Sequence, residues 1–179
     1  MILKKEFFFI RHGQTDYNLL KKDKDHPAEI PLNPTGRSQA VAIEPIVATL
    51  PVQALAVSPM KRALETKEIV SPRLFVPHHA IDDLRECGHQ VWNEMFQRGM
   101  NVAPPPEGDV RQFMDQVLNG INEALALPGP TLIIAHGGVH WATCCLMGIE
   151  DYDWHLNNCG IAHFSIGRQG QWIGKKLYE

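Results

Sequence analysis

A chain of 179 residues has the length of one domain with a substantial core. Its 44% hydrophobic and 21% charged residues describe a folded globular protein rather than a disordered one. A formal net charge of -3, from 17 Lys+Arg against 20 Asp+Glu, argues against general nucleic-acid binding, yet it leaves room for a local arginine cluster that takes an anionic small molecule. No apolar run is long enough to cross a bilayer, and the apolar run after Lys4, Lys5 and Glu6 has the length of a strand, so neither a membrane partner nor a secretory signal is expected. The spacing of Cys87, Cys144, Cys145 and Cys159 matches no zinc pattern, and a reduced cytoplasmic protein is the simplest account of them.

Four apolar residues at 7–10 read as a buried strand that stops at Arg11-His12-Gly13. A mixed-charge loop follows at 21–27, which is either a solvated face or the rim of a substrate site. Asn33 can cap a helix that starts at Pro34 and buries Ala40, Val41, Ile43, Ile46, Val47 and Leu50, with a kink at Pro45. Residues 54–57 form a second strand, after which Ser58 caps and Pro59 starts another helix, with Arg62, Ala63 and Thr66 in its first turns. Residues 73–76 make a third strand, and 77–108 a long irregular section with a short helix over 91–98 and a stiff Pro104-Pro105-Pro106 end. A long helix capped by Asp109 runs to about Leu127, with Val110, Phe113, Met114, Val117, Leu118 and Ile121 as its stripe. A strand at 131–135 ends at His136-Gly137-Gly138, a buried helix occupies 139–147, and residues 161–166 and 171–177 pair as a hairpin. Strands alternating with helices predict a single-domain α/β protein over 1–179, with a mainly parallel sheet covered on both faces.

Ligands of open α/β sheets bind beyond the carboxyl ends of the strands. Arg11 and His12 fall there, as do His136, Gly137 and Gly138, whose backbone N–H groups would open toward an anion at the start of a helix. Arginine presents a planar donor fork to phosphate, and neutral histidine is a nucleophile near pH 7. Each residue also has a plainer reading: a solvated Arg-His pair at an edge strand, a structural histidine, a surface arginine.

The segments Arg11-His12-Gly13-Gln14-Thr15 with Asn18, Ser58-Pro59-Met60-Lys61-Arg62-Ala63 with Thr66, Leu84-Arg85-Glu86, and His136-Gly137 resemble, in this order, the motifs of the histidine phosphatase superfamily, which includes the cofactor-dependent phosphoglycerate mutases. Residues 31–40 are similar to a further element of that family, with Asn33 where its pattern has Thr. Residues 106–109 loosely resemble the element before its long helix. The chain departs from the family around Trp92, where Gln90, Asn93 and Glu94 replace the common Gly, Glu and Gly.

The resemblance implies a phosphoglycerate mutase-like three-layer sandwich and a metal-independent phosphomonoester hydrolase without a cofactor. His12 would become a phosphohistidine. Arg11, Arg62 and His136 would bind the phosphoryl group, supported by Asn18 and the Gly137 N–H, with Gln14 and Thr15 in the substrate-binding set. Glu86 would be the general acid, then the base for water. The implied partner is a small phosphate ester, with no oligomeric state implied. A mutase-type transfer and a non-catalytic phospholigand module on the same fold are the competing readings. A metal shared by His136 and His140 is a further alternative, disfavoured because His136 would precede the helix.

Overall fold

The computed structural model describes residues 1–20, 29–99, 106–149 and 151–179. The expected loop at 21–27 and two of the three prolines at 104–106 lie outside the described residues. Six strands make one sheet: β1 (Phe7–Arg11), β2 (Ala54–Val57), β3 (His78–Ala80), β4 (Thr131–Ala135), β5 (Ile161–Ile166) and β6 (Trp172–Tyr178), in the order β3-β2-β4-β1-β5-β6. The first four are mutually parallel, and β5 and β6 run antiparallel at one edge. The helices are α1 (Asp16–Leu20), α2 (Pro34–Val47), α3 (Lys61–Val70), α4 (His89–Arg98), α5 (Gly108–Ala126) and α6 (Gly137–Met147), with a short 3-10 turn over Asp82–Leu84.

The strand sequences are nearly all apolar because both faces of the sheet are covered. The twofold alternation of a strand then divides their side chains between two cores. Phe7, Phe9, Ala56, Ile133 and Ala135 pack with α4, α5 and α6, whereas Phe8, Ile10, Leu55, Val57, Leu132 and Ile134 pack with α2 and α3. The expected three-layer sandwich is therefore the fold. After β1 the chain leaves toward the α2 face, and after β4 it leaves toward the α6 face. The carboxyl ends of β1 and β4, which are hydrogen-bonded neighbours, form a topological switch point.

Several local expectations are corrected. Residues 73–76 are not a strand: Arg73 is drawn to Glu44 by two bonds of 2.6 Å, Phe75 is 95% exposed, and the strand is β3, whose backbone pairs with β2 from Leu55↔His78 onward. Helix α3 starts at Lys61 after Met60, so Ser58 does not cap it. Helix α5 follows Glu107, and Asp109 lies in its first turn rather than at the cap. Asn33 does cap α2, its Oδ1 accepting from Gly36 N–H at 2.8 Å. Pro45 falls in the last turn of α2, which ends at Val47 instead of bending on to Leu50, and Val41 faces solvent.

The start of α2 touches the turn after β1 so closely that side chains are excluded. A Cβ on Gly13 would sit 2.6 Å from the Gly36 carbonyl oxygen, and one on Gly36 would sit 2.7 Å from Gln14 N. At an open helix position, Gly→Ala stabilises by up to about 1 kcal/mol. Here overpacking against rigid backbone reverses the sign, and Gly36→Ala is expected to destabilise the fold by about 1–3 kcal/mol in urea titration. A neutral or stabilised variant would show that the contact is loose.

Candidate active site

The side chains at the switch point are placed by backbone. His12 N–H donates to Ala135 O of the neighbouring strand end (2.9 Å), and Ser58 N–H donates to Ile134 O (3.0 Å). His12, His136, Ser58 and Arg62 are thereby gathered and buried, with the His12 and His136 rings 5.1 Å apart between centroids. The loop after the 3-10 turn brings in Glu86. A cavity of about 600 Å³ opens over this group, lined at its floor by Arg11, His12, Asn18, Arg62, Glu86 and Gly137.

The partners of His12 assign its tautomer. Its Nδ1 lies 2.7 Å from Gly13 O, which can only accept, so Nδ1 carries the proton. Its Nε2 receives Arg62 Nε–H at 3.2 Å, so Nε2 presents a lone pair. The Gly13 backbone that holds Nδ1 is itself held: Gly13 N–H donates to Thr66 Oγ1 at 3.0 Å, and that hydroxyl donates to Arg62 O at 2.7 Å. One threonine thus ties the histidine turn to the helix that carries the arginine.

Arg11 donates from Nη1 to Leu156 O at 2.8 Å, and Arg62 donates weakly from Nη2 to Met60 Sδ at 3.5 Å. Arg11 Nε and Arg62 Nη1 are buried and make no hydrogen bond among the described residues. Burial pushes both guanidiniums below their ordinary pKa, the nearby Glu86 pulls them up, and Arg11 further lowers Arg62. Arginine stays cationic through such shifts. Unpartnered buried donors cost free energy that an oxyanion would recover.

Glu86 accepts from Gly138 N–H at 3.1 Å through Oε2 and from Cys87 N–H at 3.2 Å through Oε1. Burial raises its pKa above the ordinary carboxyl value, against the pull of those two N–H groups, Arg62 and Arg11. Of the two N–H groups expected to face an anion, that of Gly138 is already occupied by this carboxylate. A Cβ on Gly138 would press on the Glu86 carboxyl and come within 3.1 Å of Cys87 Sγ, which explains the glycine. Gly137 lines the cavity, with Arg11 and Trp92 around it.

The other expected residues divide. Asn18 lines the cavity, and its Oδ1 accepts from Thr15 N–H (2.9 Å) and Thr15 Oγ1 (3.0 Å). Thr15 is buried, lies outside the cavity lining, and positions Asn18. Gln14 lines the cavity, and its side chain is oriented by Asn33 Nδ2 at 3.1 Å, a bond available to the Asn that stands where the family pattern has Thr. His136 meets Ser58 Oγ at 2.7 Å, while His140 bonds Trp154 O and Tyr152 Oη. Sequence reasoning missed Ser58 and Asn158. Asn158 donates from Nδ2 to His12 O at 2.9 Å from a segment with no motif of its own.

His12, Arg11 and Arg62 line the cavity, and His136 is buried behind them outside its lining with its ring 5.1 Å from that of His12, a construction suited to a tetrahedral oxyanion. The chain belongs to the histidine phosphatase superfamily (branch 1), whose family model matches residues 7–177. It is 30% identical over 175 residues to an agropine synthesis reductase of Rhizobium rhizogenes, a match covering 91% of this chain and 40% of that protein. The chain thus spans about two fifths of the length of that relative. It is 31% identical over 135 residues to the uncharacterized phosphatase PhoE of Bacillus subtilis, covering 72% of this chain and 69% of that one. Among solved structures, a phosphoserine phosphatase of Entamoeba histolytica in complex with 3-phosphoglyceric acid shares the fold, with a TM-score of 0.71, 22% identity, and coverage of 97% of this chain and 96% of that one.

Thr66→Val keeps the shape of the side chain but strands the buried Gly13 N–H. The expected result is a loss of about 1–3 kcal/mol of stability, together with a fall in kcat larger than any change in KM, because the His12 turn loosens while the cavity stays. Wild-type stability and kcat would show that the turn is held elsewhere.

Proposed function

We propose that this protein is a metal-independent phosphomonoester hydrolase that works through a phosphohistidine on His12. The observation that carries the proposal is the contact of His12 Nδ1 with Gly13 O, which assigns the Nδ1–H tautomer, together with Nε2 meeting a guanidinium whose neighbouring N–H is buried and has no acceptor among the described residues. The phosphatase relatives support hydrolysis over a mutase transfer. Four free, buried cysteines fit a reducing cytoplasm, which we propose as its compartment.

An incoming phosphoryl group would accept from Arg11 Nε–H and Arg62 Nη1–H, and would draw Arg62 Nε–H away from His12 Nε2. The freed lone pair attacks phosphorus, the bond to the leaving oxygen breaks, and Glu86 gives that oxygen its proton. Water then attacks phosphorus, Glu86 takes the proton of that water, and the P–N bond breaks to return neutral His12 and inorganic phosphate. Phosphoryl transfer requires chiefly positioning and charge stabilisation, and the two guanidiniums with His136, Asn18 and Gly137 N–H serve the equatorial oxygens.

Rapid quenching with a labelled phosphate ester should trap an acid-labile phosphoenzyme, absent in His12→Ala, and turnover should survive EDTA. Full activity in His12→Ala, or a loss restored only by a divalent ion, would refute the reading. With phosphoglycerates as substrates, release of inorganic phosphate supports a hydrolase, and isomer exchange with little free phosphate supports a mutase.

Glu86 donates while protonated, and burial extends that form to higher pH. Cleavage of an alkyl phosphate should therefore decline as pH rises through the elevated Glu86 pKa. Glu86→Gln should remove this limb and slow alkyl phosphate cleavage by ~10²–10⁴-fold, while largely sparing the burst of p-nitrophenol, whose anion leaves without a proton. Equal losses on both substrates would make Glu86 structural. Asn variants of Asp82 and Asp83, which sit on the outer turn, are the controls.

A further inference from the structure

His140 is a buried histidine that the phosphoryl chemistry above does not use. It lies on α6, one turn after His136, among the rings of Phe9, Tyr152 and Phe164. Its Nδ1 is 2.9 Å from Trp154 O, which can only accept, so Nδ1 carries the proton. Its Nε2 lone pair then accepts from the Tyr152 hydroxyl at 3.1 Å. Burial lowers its pKa to about 3, so the ring is neutral near pH 7 and adds no charge near Arg11.

Both partners of His140 belong to one segment, residues 151–160, which leads into β5. The segment has a left-handed residue near each end, Asp151 (φ 53°) and Cys159 (φ 58°). Non-glycine residues adopt that conformation at a cost, and surrounding contacts must hold them in it. The far half of the segment grips the first strand end. Leu156 O accepts from Arg11 Nη1 (2.8 Å), Asn158 Nδ2 donates to His12 O (2.9 Å), and Cys159 N–H donates to Arg11 O (2.9 Å). Lys176 Nζ also ties the segment to β6 through Asp153 Oδ2 at 2.8 Å, but that carboxylate is exposed, and exposed ion pairs hold weakly.

We infer that His140 is a positioning residue for phosphate binding: with Tyr152 it anchors residues 151–160 so that the Leu156 carbonyl sets the Arg11 guanidinium in the cavity floor. The inference deepens the phosphatase reading above and rests on it. Packing alone would accept a phenylalanine among these rings. A buried imidazole costs desolvation, and what it supplies is two directional bonds, both to the segment that holds Arg11. A guanidinium donates from a rigid fork. The bond at Nη1 therefore also orients Nε–H, the buried donor of Arg11 that has no acceptor among the described residues.

The test is a double-mutant cycle on the affinity for inorganic phosphate, read by calorimetry so that turnover is not needed. His140→Phe keeps the ring packing and removes both bonds. It should weaken phosphate binding by ~10-fold, the scale of one loosened charge-assisted hydrogen bond. In an Arg11→Lys background, where the charge remains but the fork is gone, the same change should have little further effect. His140→Asn, whose amide can place a donor near the position of Nδ1, should recover part of the affinity. Tyr152→Phe deletes a single hydroxyl and should shift the affinity in the same direction, with the same dependence on Arg11, so it decides the matter if His140→Phe does not fold. Hydrogen exchange gives a second readout: the Cys159 amide should exchange ~10-fold faster in His140→Phe, while the amides within β4 keep their rates. Unchanged phosphate affinity, an equal loss in both Arg11 backgrounds, or unchanged Cys159 exchange overturns the inference. A wild type that binds no phosphate would refute the phosphatase reading instead, and the Cys159 exchange would then decide the anchoring by itself.

Discussion

The site depends first on the 2.7 Å hydrogen bond between His12 Nδ1–H and the carbonyl of Gly13. A free imidazole exchanges its proton between two nitrogens, and only the unprotonated one can attack. The bond settles the choice, and it does so with backbone rather than with a carboxylate that would raise the basicity of the ring. The Gly13 carbonyl must then be fixed, which accounts for much of the surrounding structure. Thr66 holds the same residue's N–H, Gly36 closes on it without a side chain between, and the Asn158 amide holds the His12 carbonyl.

Electrostatics follows from that frame. Two guanidiniums are brought beside the His12 imidazole, whose Nε2 accepts from Arg62 Nε–H at 3.2 Å. They are held mainly by carbonyl, thioether and imidazole acceptors, so their charge stays largely uncompensated within the cavity. Among the described residues lining the cavity the one carboxylate is Glu86, which is engaged by the Gly138 and Cys87 N–H groups rather than by an arginine. That arrangement leaves Arg11 Nε–H and Arg62 Nη1–H without an acceptor among the described residues and lets burial lift the Glu86 pKa.

The order of elements and the meeting of most candidate site residues at one cavity were legible in the sequence because they are written locally. A buried strand followed by Arg-His-Gly or His-Gly-Gly states where the backbone stops pairing, and Asn-Pro states where a helix begins. What escaped was set by distant partners. Ser58 has the local form of a helix cap, but a histidine 78 residues away takes its hydroxyl. Residues 73–76 have the composition of a strand, yet the edge position beside β2 goes to the exposed His78–Ala80, whose pairing is made by backbone alone. Asn158 reaches the site only because β5 runs antiparallel beside β1, and no short pattern around it signals that. Thr15 sits inside a motif but serves it indirectly, through Asn18.

The central claim is that the neutral Nδ1–H tautomer of His12 presents Nε2 to the cavity. Long-range proton–nitrogen NMR correlation on ¹⁵N-histidine-labelled protein, with His12 assigned by substitution, reads the protonation of each ring nitrogen directly. The account predicts a protonated Nδ1 and a bare Nε2 for His12 at neutral pH, and attachment of phosphorus at Nε2 when the phosphoenzyme is trapped. A protonated Nε2, an imidazolium at neutral pH, or phosphorus on Nδ1 would contradict it.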